Sequence, residues 1–166
     1  IEEFYNTTDP IWTYSTMFAS SSPISCLVDV TANITRSYLY MDRYIYFNET
    51  RFKLPLKGVL YKDDANRSKK TLIYDADSPP GAQPLDLEQL LYQSADDSCG
   101  VIKFFQHPGV LRFDLRLRNC SLAMGPHPNC SRYFAEVYRY HEKKSPFPKF
   151  ENRTLYKPEC QAIFKS

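Results

Sequence analysis

The sequence predicts an all-β fold with one C-terminal helix, arranged as an eight-stranded antiparallel up-and-down barrel. Two patterns predict it. Much of residues 24–119 alternates between apolar and polar side chains, and the period changes once, to a helical repeat, at 129–141. The chain has 166 residues, of which 43% are hydrophobic, so as one domain it can bury roughly two-thirds of its unfolded surface. We expect the barrel at about 1–120, the helix at about 129–142 and an extension at 143–166.

Consecutive strands can be assigned from this alternation, with turn-forming residues between them. They are 24–33, 36–48, 51–62, 70–76, 85–93, 99–106 and 110–119. Strands that follow one another in this way favour hairpins, and a run of hairpins closes most simply as an up-and-down barrel. An immunoglobulin-like sandwich is the alternative fold, but the single tryptophan, Trp12, precedes every cysteine, and that fold has no terminal helix.

The helical repeat at 129–141 predicts one amphipathic helix. Its apolar residues recur at the spacing of a single helical stripe and are Cys130, Tyr133, Phe134, Val137, Tyr138 and His141. Asn129 can cap its N-terminus, and Pro146 and Pro148 lie beyond its end. Because a barrel wall offers apolar surface for this stripe to cover, we expect the helix to pack against the outside of the barrel.

Composition and motifs exclude several classes of function. The formal net charge of +2 is too small for a nucleic-acid-binding protein that relies on positive potential. No stretch reaches the ~20 apolar residues of a membrane helix, and Ile1 begins without a basic or apolar leader, so we expect any secretory signal to have been removed. The three histidines show no metal-ligand spacing and no catalytic motif is present. We therefore expect a monomeric binding protein without a metal, a cofactor or enzymatic activity.

Asparagine usage points to the secretory pathway. Every asparagine of the chain opens an Asn-x-Ser/Thr triplet, the acceptor for N-glycosylation, and they are Asn6, Asn33, Asn48, Asn66, Asn119, Asn129 and Asn152. With the serine and threonine content of this chain, about one such match is expected by chance. We therefore predict a secreted, extracellular glycoprotein whose glycosylated asparagines point outward.

Cysteine usage agrees with an oxidising compartment. The chain has five cysteines, without the spacing of a structural zinc site. Joining Cys26 to Cys160 would tie down both ends of the chain and leave Cys99 to pair with Cys130, although the spacing allows other pairings. Cys120 is left over in that arrangement. We expect it to be a buried thiol, with an intermolecular disulfide as the alternative.

Several short motifs carry a resemblance to a known family. Residues 94–102 (SADDSCGVI), residues 113–116 (FDLR) and Cys130 ahead of an amphipathic helix resemble the tick salivary lipocalins of the histamine-binding protein family. Residues 9–12 (DPIW), residues 26–28 (CLV) and the terminal Cys160 follow the order of that family.

The resemblance implies a lipocalin barrel, disulfides Cys26–Cys160 and Cys99–Cys130, and a salivary protein that sequesters host mediators. Residues 1–25 leave little room for the first helix and strand that are usual in this family.

The positions that bind amines in the family differ in this chain. Gly100 replaces an Asp, Asp114 replaces a Glu, and Arg116 replaces an aromatic residue. An arginine beside the remaining carboxylate would repel an ammonium group or pair with the carboxylate itself. The sequence therefore disfavours histamine or serotonin as the ligand.

Strand 110–119 alternates strictly between an apolar face and a charged face, and two orientations stay open. The charged face, with Arg112, Asp114, Arg116 and Arg118, is solvent-exposed in one orientation and faces the lumen in the other, which is the one that the family positions imply. An inward charged face would form a net positive patch suited to a carboxylate or phosphate head group.

The candidate ligand-binding residues combine this strand with aromatic residues of the other strands. They are Tyr38, Tyr40, Asp42, Tyr44, Tyr46, Tyr92, Phe104, Arg112, Asp114 and Arg116. An apolar cavity with few polar groups suits an eicosanoid, fatty acid or sterol, although the aromatic residues could equally fill the barrel interior. We therefore predict a secreted salivary lipocalin that sequesters a small hydrophobic or anionic amphipathic host mediator. The alternatives are an immunomodulator that acts on a host protein or immune cell through its outer surface, and a biogenic amine scavenger.

Overall fold

The computed structural model describes residues 1–18, 23–65, 67–107, 109–144 and 150–165. Within these residues, eight strands form a closed antiparallel barrel in which each strand pairs with the next and β8 pairs with β1. They are β1 (Ile11–Phe18), β2 (Ile24–Ile34), β3 (Tyr38–Phe47), β4 (Thr50–Lys62), β5 (Ser68–Asp75), β6 (Asp86–Gln93), β7 (Cys99–Gln106) and β8 (Val110–Arg118). The predicted fold class is confirmed.

Further elements precede and follow the barrel. They are a short helix α1 (Glu2–Tyr5), a long helix α2 (Pro128–Lys144), a strand β9 (Glu151–Thr154) and two 3-10 helices at Asn119–Ser121 and Pro158–Phe164. Helix α2 lies where the sequence predicts it. The expectation that residues 1–25 lack room for a first helix and strand is wrong, because both α1 and β1 lie there.

Strand β1 is not predicted from the sequence because its apolar and polar side chains do not alternate. Thr13, Ser15 and Thr16 are all buried, in a stretch of β1 that pairs with β8 along one edge and, from Ser15 onward, with β9 along the other. The register also shifts between Thr13 and Ser15, so two residues of β1 oppose one step of β8 and the side-chain alternation is interrupted there. A strand that buries polar side chains and contains a bulge does not show the alternation with a period of two that identifies a strand in a sequence.

The two ends of the barrel differ. At one end, α1 folds under the barrel, and Phe4 and Tyr5 pack in an apolar core with Leu39, Ile73 and Ile102. The backbone nitrogen of Ile1 donates a hydrogen bond to the carbonyl of Ser68 at 2.9 Å, which fixes the start of the helix. We call this the closed end. The opposite end, where β3 turns into β4 and β7 into β8, is the open end.

Helix α2 covers the outer face of the barrel over β6, β7 and β8. Its buried Phe134 packs with the outward-facing Phe113, Leu115 and Leu117 of β8. The Cys99–Cys130 disulfide, with Cα atoms 6.5 Å apart, joins β7 to the first turn of α2. The apolar stripe that the sequence predicts is therefore used as expected, against a barrel wall.

The C-terminal segment, residues 150–165, covers a second outer region. Trp12 is fully buried there, with Tyr156 and Phe164 in edge contacts at 5.0 and 5.7 Å between ring centroids. The Cys26–Cys160 disulfide, with Cα atoms 5.6 Å apart, holds the segment to β2. Both disulfides that the resemblance implies are thus present. No helix within the described ranges is long and apolar enough to cross a membrane.

Candidate ligand-binding site

The open end of the barrel contains a cavity of about 340 Å³. Its apolar lining comes from β1 to β4, β7, β8, the residue before β6 and the C-terminal segment, and comprises Phe18, Ile24, Leu27, Ile45, Leu54, Leu56, Leu85, Phe104, Val110 and Leu155. The polar residues of the wall are Thr16, Arg43, Asp86, Gln106, Arg112 and Arg153. The volume lies at the lower end of the ~300–1,000 Å³ that small-molecule sites occupy.

Strand β9 completes one side of this cavity. Among the described residues, strand β2 pairs with β1 only at Ile11 and Trp12, so toward the open end that edge of β1 is left for another strand. Strand β9 pairs with that edge, with Thr154 opposite Ser15 and Glu151 opposite Phe18. This arrangement brings Arg153 and Leu155 into the cavity wall, a contribution that no sequence pattern predicts.

A layer of charged side chains separates the cavity from the apolar core at the closed end. We call it the charged layer, and its members are Asp29, Arg43, Asp86, Glu88, Arg112, Asp114 and Arg116, each at most 9% exposed. The charged face of β8 therefore points into the barrel and its apolar face points outward under α2. Of the two orientations left open by the sequence, the inward one is correct.

Arg116 joins two acidic members of the charged layer to helix α1. Arg116 is fully buried and donates to Asp114 at 2.8 Å and to Glu88. It also donates to the hydroxyl oxygen of Tyr5 at 2.6 Å, which links the layer to α1.

Arg43 makes the matching contacts from the other side of the barrel. It donates to both carboxylate oxygens of Asp29, at 2.7 and 3.0 Å, and to Glu88 at 3.0 Å. Glu88 is thereby held between two guanidinium groups, Arg43 and Arg116.

Arg112 lies closer to the open end and also pairs with Asp114. Its guanidinium donates to both oxygens of Asp114, at 2.8 and 3.1 Å, and stacks on the Phe104 ring at 3.9 Å from the ring centroid. Thr16 donates a further hydrogen bond to Asp114 at 2.8 Å. Asp114 is fully buried, and these donors supply the hydrogen bonds that a buried carboxylate requires.

Burial and neighbouring charges shift the pKa values of this layer in opposite directions. Burial alone would raise the pKa of Glu88, but Arg116 and Arg43 outweigh it and lower the pKa below its usual range. Burial is likewise outweighed at Asp114, where Arg112 and Arg116 lower the pKa. Burial raises the pKa of the Tyr5 hydroxyl, so Tyr5 stays neutral. Glu88 and Asp114 are therefore ionised at neutral pH.

Asp86 is the exception. Burial and the negative charge of Glu88 raise the pKa of Asp86 to about 9, so its carboxyl group is protonated at neutral pH. Oδ1 of Asp86 is buried without a hydrogen-bond partner among the described residues. A proton on the Asp86 carboxyl group removes the repulsion between two buried negative charges and lets the group donate a hydrogen bond to Glu88.

The charges of the layer balance when Asp86 is neutral. Arg43, Arg112 and Arg116 are then matched by Asp29, Glu88 and Asp114. Arg118 takes no part, since it donates to backbone carbonyls of Glu3 and Phe4 at the closed end. The net positive patch expected for a carboxylate or phosphate head group is therefore wrong, because acidic residues of β2 and β6 neutralise the arginines.

The structure brings together four of the predicted ligand-binding residues. Phe104 and Arg112 line the cavity, and Asp114 and Arg116 lie beneath it in the charged layer. The signal for these residues is the alternation of β7 and β8 together with the family positions.

The predicted tyrosines and Asp42 lie elsewhere, and their placement in the lumen is wrong. On β3 the buried, inward side chains are Leu39, Met41 and Arg43, so the opposite parity of Tyr38, Tyr40, Asp42, Tyr44 and Tyr46 points outward. Tyr44 and Tyr46 pack with the cluster around Trp12 that the C-terminal segment covers, and Tyr38 lies beside Tyr40 and under Lys57 on the outer surface.

Tyr92 lies outside for a different reason. The register between β6 and β7 shifts between Leu90 and Tyr92, so the side chains beyond the shift change faces. Leu90 packs in the core at the closed end, whereas Tyr92 stacks on Tyr133 of α2 at 5.2 Å between ring centroids.

Sequence reasoning missed Tyr5, Asp29, Arg43, Asp86 and Glu88. Asp86 and Glu88 had a signal, because they alternate with Leu85 and Leu87 on a strand that the sequence identifies. Arg43 shares the parity of Leu39 and Met41, so an apolar-inward choice for β3 would have found it. Tyr5 had no signal, because α1 was not expected.

The predicted modification sites and the free cysteine lie mainly on the surface. Asn6, Asn33, Asn48, Asn129 and Asn152 are exposed. Asn119 is half-buried, and its Oδ1 accepts hydrogen bonds from Trp12 and Gln161 at 2.9 and 2.8 Å. Asn66 lies outside the described residues. Cys120 is free and exposed, so the expectation of a buried thiol is wrong: it lies in the short 3-10 turn after β8, where none of the described elements covers it.

Other ligand chemistries have no visible site in the described part of the chain. No group of three or more His, Cys, Asp or Glu side chains there is placed to hold a metal ion. His141 of α2 packs between Phe113 and Phe150, at 4.5 and 5.5 Å between ring centroids, which is the packing role that its place in the apolar stripe indicates.

Comparison with known proteins identifies the fold. No protein-family model matches the sequence, and a search of curated proteins found no match. Among solved structures, the siderocalin Ex-FABP, described as functioning through dual ligand specificities, is 11% identical with a TM-score of 0.61, over 90% of this chain and 93% of that chain. Japanin from Rhipicephalus appendiculatus, solved bound to cholesterol, is 10% identical with a TM-score of 0.56, over 92% of this chain and 96% of that chain. These likenesses show a lipocalin-type barrel.

Proposed function

We propose that this chain is a secreted lipocalin-fold protein that binds a small hydrophobic ligand through the open end of its barrel. The observation that carries the proposal is the cavity of about 340 Å³, whose lining is mostly apolar and which ends at the charged layer. A concave, largely apolar site with a few placed polar groups is typical of small-molecule binding. A role in sequestering a host mediator, such as an eicosanoid, fatty acid or sterol, follows from the resemblance to tick salivary lipocalins.

The two similar structures support ligand binding by this fold. Japanin is solved with cholesterol bound, and Ex-FABP is described as having dual ligand specificities. Secretion is supported by the two disulfides and by the exposure of five Asn-x-Ser/Thr asparagines, Asn6, Asn33, Asn48, Asn129 and Asn152.

Native mass spectrometry of protein secreted from eukaryotic cells tests this proposal. We expect a mass excess that organic extraction removes and that returns when the extracted protein is incubated with a sterol, a fatty acid or an eicosanoid. Protein that is empty on purification and takes up none of these ligands would contradict the proposal.

A matched pair of variants locates the binding. Ile45→Trp adds a large side chain to the cavity wall and should prevent uptake. Tyr40→Trp, on the outward face of the same strand β3, should bind as the native protein does. Equal uptake by both variants would place the ligand outside the cavity.

An amine ligand is not favoured by the charged layer. The carboxylates of Asp29, Glu88 and Asp114 already pair with arginines, so no free carboxylate cluster is ready for an ammonium group. We expect calorimetry with histamine and serotonin to show no binding heat. Action on a host protein or immune cell stays a prediction, which a pull-down from host plasma and leukocyte membranes tests.

A further inference from the structure

One carboxyl oxygen in the cavity wall has no hydrogen-bond partner. Asp86 begins β6, is 8% exposed and lines the cavity. Its Oδ2 lies 3.9 Å from Nη1 of Arg43, which is beyond hydrogen-bond distance. The other oxygen, Oδ1, is buried without a hydrogen-bond partner among the described residues. A protonated carboxyl group donates through only one of its oxygens, so the other oxygen is left as a carbonyl-like acceptor. A buried acceptor without a donor costs free energy that a ligand donor would recover.

The charged groups around Asp86 restrict what that donor can be. Arg43 of β3 and Arg112 of β8 line the same cavity, and Arg153 lies in its wall from β9. The carboxylates beside them, Asp29, Glu88 and Asp114, already pair with arginines, so a cationic donor would be buried without a free carboxylate to balance its charge. An ammonium group is therefore disfavoured at this position.

A carboxylate ligand is disfavoured for a different reason. Arg43 and Arg112 already hold Asp29, Glu88 and Asp114, and an ionised ligand head group has no proton to donate to the acceptor oxygen of Asp86. Inserting it would add an uncompensated negative charge to a layer whose charges balance when Asp86 is neutral. What remains is an uncharged hydrogen-bond donor.

We propose that Asp86 is the polar subsite of the cavity, where its carboxyl oxygen accepts a hydrogen bond from the hydroxyl group of a neutral, alcohol-class amphipathic ligand. This inference rests on the proposed function. It narrows the class of ligand to hydroxylated lipids and disfavours fatty acids. The raised pKa of Asp86, about 9 through burial and the charge of Glu88, agrees with it, because the carboxyl group stays neutral when such a ligand enters.

Four probes that share one alkyl chain test the head-group preference. They are dodecan-1-ol, methyl dodecyl ether, dodecanoate and dodecylamine, each titrated at pH 7 against the extracted protein carrying the fluorescent hydrophobic probe N-phenyl-1-naphthylamine. We expect the alcohol to bind about tenfold more tightly than the ether, which cannot donate a hydrogen bond, since one net hydrogen bond is worth about that ratio. Tighter binding of dodecanoate or dodecylamine than of the alcohol would overturn the inference.

Variants of Asp86 show whether this residue causes the preference. In Asp86→Leu the alcohol should lose about tenfold in affinity while the ether stays within about twofold. Asp86→Asn keeps an acceptor oxygen and a donor toward Glu88 and should retain the preference for alcohol. Asp42→Leu, on the outer face of β3, is the control and should leave all four affinities unchanged.

The outcomes separate this inference from the function on which it rests. An equal loss for alcohol and ether in Asp86→Leu means that the residue only shapes the cavity, and an unchanged preference means that the hydroxyl binds elsewhere. Either result overturns the subsite but leaves hydrophobic ligand binding intact. If no probe displaces the fluorophore from the native protein, the proposed function is wrong and the subsite with it.

Discussion

Replacing Arg116 by methionine tests whether paired charges hold the middle of the barrel together. Arg116 is fully buried and forms ion pairs with Asp114 and Glu88 and a hydrogen bond with Tyr5. Methionine fills much of the same volume without the charge. Removing one partner of a buried ion pair costs about 3–5 kcal/mol, because the remaining charges stay buried. That is a large share of the ~5–15 kcal/mol by which a domain is usually stable.

The pH dependence of this loss distinguishes a charge effect from a packing effect. In the native protein, Arg116 helps to lower the pKa of Glu88 and of Asp114 below the unfolded value. Their contribution to stability is therefore present above the unfolded pKa, near pH 4, and is lost as the pH falls through the folded pKa. Arg116→Met removes much of that contribution. The stability difference between native protein and variant should thus be largest near pH 7 and smaller near pH 4.

Chemical denaturation under non-reducing conditions measures the effect. The fluorescence of the buried Trp12 and the far-ultraviolet circular dichroism of the barrel should report one coincident transition. Arg139→Met, on the exposed face of α2, is the matched control and should change the free energy of unfolding by less than about 0.5 kcal/mol. A loss below about 1 kcal/mol for Arg116→Met at pH 7, or a loss equal at pH 4 and pH 7, would refute the reasoning.

Three further substitutions probe other parts of the fold. Unfolded Asp86 ionises near pH 4 while folded Asp86 stays protonated to about pH 9, so native stability should fall with rising pH in that window by up to about 1.4 kcal/mol per unit. Asp86→Asn should flatten that decline in denaturation series from pH 5 to 9, and parallel curves would count against the raised pKa. Tyr5→Phe removes the acceptor for Arg116 and a donor to Asp29 at 3.3 Å, and should lower the free energy of unfolding by about 1–3 kcal/mol. An unchanged denaturation midpoint would contradict this expectation. Replacing both Cys99 and Cys130 by alanine removes a disulfide that spans 31 residues, and should lower the free energy of unfolding by about 3–4 kcal/mol. Thermal unfolding at the same temperature as in the native protein would contradict this expectation.

The sequence predicted the barrel and its helix because their signals are local. Period-two alternation in β2 to β8 and the helical stripe of α2 each arise from neighbouring residues of one segment. Strand β1 had no such signal, since Thr13, Ser15 and Thr16 are buried by partners distant in the chain. Strand β9 has only four residues, all of them exposed, and is too short to show a pattern.

The orientation of the strands could not be predicted from alternation alone. Alternation separates Tyr44 from Arg43 but does not say which of them faces the lumen. That choice depends on what covers the outer face, and Tyr44 is covered by Phe164, at 5.4 Å between ring centroids, from a segment more than a hundred residues away. On β8 the apolar face is outward because α2 covers it.

The charged layer could not be predicted from the sequence for the same reason. Arg43 pairs with Asp29 and Glu88 across strands β2, β3 and β6, and each of these residues is unremarkable within its own strand. Only the closed barrel brings them into one layer. The predicted excess of positive charge is wrong because that prediction counted only the charged residues of β8. It left out the acidic residues of β2 and β6 that pair with the arginines.

A crystal structure of the secreted protein, determined after incubation with a hydroxylated lipid such as cholesterol, tests the central claim most directly. The account predicts ligand density at the open end of the barrel, with its hydrocarbon body between Leu56 and Phe104 and its hydroxyl oxygen within about 3.2 Å of the Asp86 carboxyl group. The charged layer should be unchanged beneath it. An empty cavity in protein that retains the lipid on its outer surface would contradict the account.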